Sequence, residues 1–249
     1  MVPAMKWFFL AAALVAAAMA AGSACAQTAQ ERRPVVLELY TSQGCFACPR
    51  ANRLVAEFAR DPNVIALTFP VGYWDYLGWD DTFAQPQFSA RQRDFERAMN
   101  FRSPFTPQLI IGGVRQVSAA DWDEARATLD EVAAAPPRAG APRVSIARLD
   151  PHSTAHITIS AEAPRSTPAD IWFLAYDPGP ISVWIERGEN AGRTVVHYNL
   201  VSKIERAGTW NGAAASFDHS RCYPQCAVIV QEPDGGPILA AAITRRHTR

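Results

Sequence analysis

Hydrophobic and polar positions change their rhythm twice along the chain. Residues 7–21 are continuously apolar. From 34 to 134 short apolar runs alternate with stretches of helical period, and beyond about 155 apolar and polar residues alternate one by one. These three rhythms predict three kinds of structure.

The middle stretch is the richest. Val35–Tyr40 reads as a buried strand, and Ser42 and Gly44 as the turn that follows it. Ala51, Leu54, Val55, Phe58 and Ala59 then fall on one helical face, with Pro49 in the first turn and Asp61-Pro62 as the stop. Val64–Phe69 is a second strand. Ser89-x-x-Gln92 forms a capping box for a helix running to Asn100. Ser103-Pro104-Phe105-Thr106-Pro107 breaks the chain before the strand Gln108–Ile111, the turn Gly112-Gly113 and a partner strand Val114–Val117. Ser118 caps a last helix that buries Trp122, Ala125, Leu129 and Val132. The predicted order is β-α-β-α-β-β-α.

Residues 133–142 have the composition of a linker, rich in Ala and Pro. Beyond them Ala155, Ile157, Ile159 and Ala161 alternate with polar residues, and Ile181, Val183 and Ile185 do the same. Ile171–Tyr176, Thr194–Val201, Ala227–Gln231 and Ile238–Thr244 are further strands. Short strands with regular turns predict an all-β, sandwich-like domain over 143–249, following an α/β domain over 34–134.

The apolar stretch near the start carries one charge ahead of it, Lys6, and is short for a bilayer span. Ala24-Cys25-Ala26 is a small-x-small cleavage site, so residues 1–26 read as a secretory signal peptide and the protein as periplasmic or secreted. No membrane span is expected after cleavage. The chain beyond it carries 23 basic against 24 acidic residues, which gives no sign of nucleic acid or an anionic membrane as partner.

Cleavage leaves Cys45, Cys48, Cys222 and Cys226, two close pairs in a chain whose export permits disulfides. Cys45-Phe46-Ala47-Cys48 lies between the first strand and the first helix, with Cys45 at the edge of that helix. The helical N–H groups and dipole favour a thiolate there. Cys48, one turn later, can resolve a mixed disulfide. Half of a zinc site or a structural disulfide is the plainer reading of the same spacing. Cys222 and Cys226, around Tyr223-Pro224-Gln225, are expected to bond to each other, with a relay to Cys45 as the alternative.

This element order, with Cys-x-x-Cys at the first helix and Thr106-Pro107 before the third strand, resembles the thioredoxin and glutaredoxin fold over about 34–134. The resemblance implies a cis Pro107 lying against the cysteine pair. Tyr73-Trp74-Asp75-x-Leu77-Gly78-Trp79 and Arg187-Gly188-Glu189-Asn190-x-Gly192-Arg193-Thr194 are similar to a group of exported bacterial thioredoxin-like proteins of unknown function. In that group a His precedes the Tyr-Trp-Asp segment, where this chain has Pro70.

Glu38, inside the first strand, is a candidate proton relay for the thiols, against a salt-bridged or exposed glutamate. Tyr73, Trp74, Trp79 and Thr106 are candidate substrate-contacting residues beside the cysteines, against ordinary core packing. The 187–194 segment is a polar hairpin or an anion site. The five histidines lack ligand spacing and read as strand-edge or surface residues, and no Ser/His/Asp set can be placed. The expectation is therefore a thiol–disulfide oxidoreductase-like protein acting on protein thiols or disulfides, with no cofactor and no metal. A non-catalytic binding or assembly module and a thiolate metal carrier are the alternatives.

Overall fold

A computed structural model describes residues 33–149 and 154–244. The expected signal segment, Cys25, His152 and His247 lie outside them. Among the described residues no helix is long and apolar enough to cross a membrane.

The first half follows the predicted order. Strand β1 (Val35–Thr41) leads to helix α1 (Cys48–Phe58), strand β2 (Val64–Pro70), helix α2 (Pro86–Met99), strands β3 (Gln108–Ile111) and β4 (Arg115–Ser118), and helix α3 (Trp122–Ala134). Two caps differ from expectation. Helix α2 begins with Pro86 in its first turn rather than at Ser89, because the fixed φ of proline suits that position. Helix α3 is capped by Asp121, whose carboxylate accepts from the Glu124 N–H at 3.0 Å, three residues beyond Ser118.

The second half contributes β5 (Val144–Arg148), β6 (Ala155–Ile159), β7 (Ala169–Asp177), β8 (Ile181–Ile185), β9 (Arg193–His197), β10 (Leu200–Trp210), β11 (Ala215–His219), β12 (Gln225–Gln231) and β13 (Ile238–Ile243). The run Thr194–Val201 is not one strand. Asn199 takes a left-handed φ of 47° and separates β9 from β10.

The halves share one sheet, ordered β13-β12-β7-β10-β2-β1-β3-β4. The described residues accordingly fall in one compact unit, in place of the two separate domains expected on either side of the linker. β1 runs parallel to β2 and antiparallel to β3, and β10 joins through Leu200 opposite Thr68. The fold is mixed α/β around a large sheet.

Side-chain alternation sorts the core by sheet face. On one face Val36 and Tyr40 of β1 pack with Phe88 and Phe95 of α2, and Leu174, Val201 and Ile229 continue that cluster across the sheet. On the other face Leu37 and Leu39 meet Leu54, Val55 and Phe58 of α1 and Leu129 of α3. Farther along, Phe173 and Val228 pack against Ile157 and Ile159 of the small sheet β11-β6-β5. A small ribbon, β8-β9, is left to serve the site.

Candidate functional site

The cysteine pair sits on the α1 face of the sheet. Cys45 and Cys48 are joined as a disulfide, with Cα atoms 5.4 Å apart. α1 begins at Cys48, so Cys45 lies a full turn ahead of the helix rather than at its edge, and the Cys48 N–H donates to the Cys45 carbonyl at 3.2 Å. Cys48 is fully buried and Cys45 is 5% exposed. Between them Phe46 projects into solvent, 59% exposed.

Three segments hold the loop before the pair. Gln43 is the hub, fully buried two residues ahead of Cys45. Its N–H donates to Asp81 Oδ2 at 2.7 Å, its amide nitrogen donates to Thr82 Oγ1 at 2.9 Å, and its amide oxygen accepts from Trp79 Nε1 at 2.9 Å. Burial pushes the Asp81 carboxyl up to about 6 against the bonds it accepts from Gln43 and Phe83. The second segment is Thr106-Pro107, joined by a cis bond. Trp74 Nε1 donates to Thr106 Oγ1 at 2.6 Å, and a Cβ added to Gly44 would stand 3.3 Å from the Trp74 Cβ. Trp74 therefore bridges the motif loop and the proline loop. Tyr76, 77% exposed, stacks on Trp74, and Tyr73 is half-buried with its phenol pushed up to about 12 by burial.

The third segment comes from the far half of the chain. The turn between β8 and β9 lies on the motif itself. Buried Asn190 donates from Nδ2 to the carbonyls of Gln43 and Cys45, both at 2.9 Å. Glu189 Oε2 accepts from the Phe46 N–H at 3.3 Å, and the Arg193 guanidinium lies over the Phe46 ring, 4.6 Å from its centre. Gly188, at φ +79°, fits where a Cβ would stand 3.3 Å from the Leu77 carbonyl oxygen and the Trp79 Cβ. The two segments singled out by resemblance, 73–79 and 187–194, thus meet at the cysteine loop.

A family profile matches residues 36–231, a span that takes in the cysteine motif and the turn laid on it. The chain belongs to that family, described as protein of unknown function (DUF1223). Among solved structures, protein AGR_C_4864 from Agrobacterium tumefaciens is 25% identical, with a TM-score of 0.70 over 89% of this chain and 98% of that one. HBP35 of Porphyromonas gingivalis is 13% identical, with a TM-score of 0.57 over 85% of this chain and 74% of that one, a likeness of fold alone. No curated protein matches the chain.

Glu38 is not brought to the cysteines. Its side chain lies on the α2 face, opposite α1, because it alternates with Leu37 and Leu39. There Arg91 grips it with two bonds of 2.7 Å, and the Tyr40 hydroxyl donates to it at 2.9 Å. Burial works against the Arg91 charge, but the facing Glu38 outweighs it and raises the guanidinium pKa. Glu38 is a buried salt-bridge partner, the structural alternative to a relay.

Two features escaped the sequence. His197, read as a strand-edge or surface residue, is fully buried on the α1 face. Thr41 Oγ1 donates to Asn52 Oδ1 at 2.7 Å, and the Asn52 amide nitrogen faces the Val196 carbonyl at 3.1 Å and His197 Nδ1 at 3.4 Å. Burial pulls the His197 pKa down to about 4. The second feature is a Ser/His/Asp set, which the sequence could not place. Ser216 Oγ lies 2.9 Å from His156 Nε2, and His156 Nδ1 lies 2.6 Å from Asp218 Oδ1. All three stand on the solvent face of adjoining strands, without the water exclusion that acyl transfer draws on.

Cys222 and Cys226 are bonded to each other. Both are fully buried in the cluster under the small sheet, separate from the cluster that α1 packs into. This placement gives no support to a relay to Cys45.

Proposed function

We propose that this protein is an exported thiol–disulfide oxidoreductase-like protein whose thioredoxin-like part acts on protein thiols or disulfides through Cys45 and Cys48. One observation carries the reading: a disulfide placed just ahead of a helix, with Cys48 fully buried and Cys45, 5% exposed, directly beside exposed Phe46. A structural disulfide needs no such asymmetry. In the reduced protein the Cys45 thiolate attacks a partner disulfide. A Cys45–partner bond forms, the partner's S–S bond breaks, and one partner thiolate leaves. The Cys48 thiolate then attacks the Cys45 sulfur, restoring the internal disulfide and releasing the second partner thiolate. The partner gains two electrons and the pair loses them. The reverse sequence oxidises a partner dithiol.

The aromatic segment supplies the docking face. Trp74 and Tyr76 stack beside the motif, Trp79 braces it through Gln43, and Thr106-Pro107 borders it through Trp74. Trp74, Trp79, Tyr73 and Thr106 thus remain the substrate-contacting candidates, with Phe46 and Tyr76 added. Export is supported by the apolar run and the small-x-small site at 24–26, which suit the oxidising compartment where two disulfides persist.

A brief iodoacetamide pulse on the reduced protein tests the assignment by mass spectrometry. Fast labelling of Cys45 and slow labelling of Cys48 near neutral pH are expected. Cys48→Ala should stall as a mixed disulfide with a peptide disulfide, whereas Cys45→Ala should abolish exchange. Equal labelling of both thiols, or full exchange by Cys45→Ala, would favour a binding module with a fixed disulfide instead.

A further inference from the structure

The β8–β9 turn does more than brace the loop. We infer that Glu189 and Arg193 are positioning residues of opposite sign that set how readily Cys45 ionises, an inference that rests on the thiol chemistry proposed above. A thiolate at Cys45 is favoured by nearby backbone N–H dipoles and by the positive end of α1. Glu189 takes one of those donors, the Phe46 N–H, and brings a full negative charge into the same turn. It therefore opposes the thiolate. Arg193 lies over the Phe46 ring and brings a positive charge that favours it. Asn190 fixes both charges in place, since its two bonds to the carbonyls of Gln43 and Cys45 lock the turn to the motif. The Asn190 side-chain Oδ1 also accepts from the Arg193 guanidinium at 3.4 Å.

The other charged groups around the motif act more remotely. Arg50 of α1 is turned onto Trp122. Asp81 reaches the loop backbone at Gln43, two residues from the sulfur, and Asp75 stands behind it at the Asp81 N–H. Arg53 on α1, Asp80 beside Trp79, and Glu186 and Arg187 at the end of β8 are exposed. His197, on the buried side of α1, is held neutral by burial. Glu189 and Arg193 are the pair in contact with Phe46, the residue bonded to Cys45.

The test is the pH dependence of Cys45 alkylation in the reduced full-length protein, followed by mass spectrometry for the parent, Glu189→Gln and Arg193→Gln. Glu189→Gln should lower the midpoint by roughly half a unit or more, and Arg193→Gln should raise it. Both charges face solvent, so both shifts should shrink in 1 M salt. Glu189→Asp, which keeps the charge, should stay near the parent. A purely structural turn would instead change stability and leave the midpoint fixed. Midpoints that coincide in all four proteins, or that move the same way in both neutralising variants, would overturn the inference. Alkylation needs no protein partner. A shifted midpoint without any trapped partner would therefore sink the exchange reading while upholding the charge effect.

Discussion

His197 and Asp81 are both buried, and both touch Phe83: the His197 ring packs edge-on against its ring, and Asp81 accepts from its N–H at 2.9 Å. For His197 the folded pKa is about 4 against an ordinary 6.5. As pH falls from about 6.5 to 4 the unfolded chain takes up a proton that the folded one refuses, so this residue removes about 3 kcal/mol of stability over that window. Asp81 runs the other way. Its carboxyl is raised from 3.8 to about 6, so its contribution is fully present below about 3.8 and is lost as pH rises through about 6. The two slopes cancel in the parent. His197→Phe should expose a stability that falls between pH 4 and 6 relative to the parent, and Asp81→Asn one that rises. Denaturant titrations at pH 4, 5, 6 and 7 measure both, and parallel profiles for the three proteins would contradict the two burial assignments.

The cysteine motif was legible because its signal is local: a strand, a turn and a helix in fifteen consecutive residues, 35–49. The residues that hold it were not. Gln43, Asp81, Asn52, Asn190 and His197 make their bonds across 11 to 147 positions, and nothing in periodicity marks a buried amide. Glu38 looked like a relay because it is a lone acid in an apolar strand. Its parity against Leu37 and Leu39 already placed it on the opposite face from the helix that carries Cys48.

At the level of elements, the Glu38–Arg91 pair joins β1 to α2 and leaves α1 alone. Glu38→Gln strands a guanidinium in the core and should cost about 3–5 kcal/mol. Replacing both partners together, as Glu38→Leu with Arg91→Met, should recover much of that loss. The alkylation midpoint of Cys45 should stay with the parent in every variant that folds, because the pair lies across the sheet from the motif. A shifted midpoint in the double variant would return Glu38 to the relay role. The strands missed by sequence, β5 and β11, and the split of 194–201 have one cause. Alternation reports a half-buried face but not where a strand turns, and only Asn199 in its left-handed conformation ends β9.

For the whole molecule, strand order decides what is one unit. The linker composition at 133–142 is real, yet β10 adds to the open edge of β2, and β7, β12 and β13 extend the same sheet. Pairing partners so far apart in sequence leave no mark on local periodicity, which is why the second half read as a separate sandwich. The turn at 112–113 is tied to the far end of the chain as well, since the Gly112 carbonyl accepts from the Ile238 N–H at 2.9 Å. A chain cut after residue 142 would expose the α2-face cluster that Leu174, Val201 and Ile229 complete. Such a fragment should show no cooperative unfolding transition by circular dichroism, whereas the full chain should unfold in one. A cooperative, native-like fragment would restore the two-domain arrangement.

The equilibrium reduction potential of the Cys45–Cys48 pair tests the central claim most directly. Glutathione titration with thiol labelling and mass spectrometry reads the two disulfides separately. The Cys45–Cys48 potential should fall within the range of exchange-active pairs, about −270 to −120 mV, with Cys222–Cys226 resisting reduction under the same conditions. A Cys45–Cys48 potential below about −300 mV would mark a fixed structural bond and contradict it.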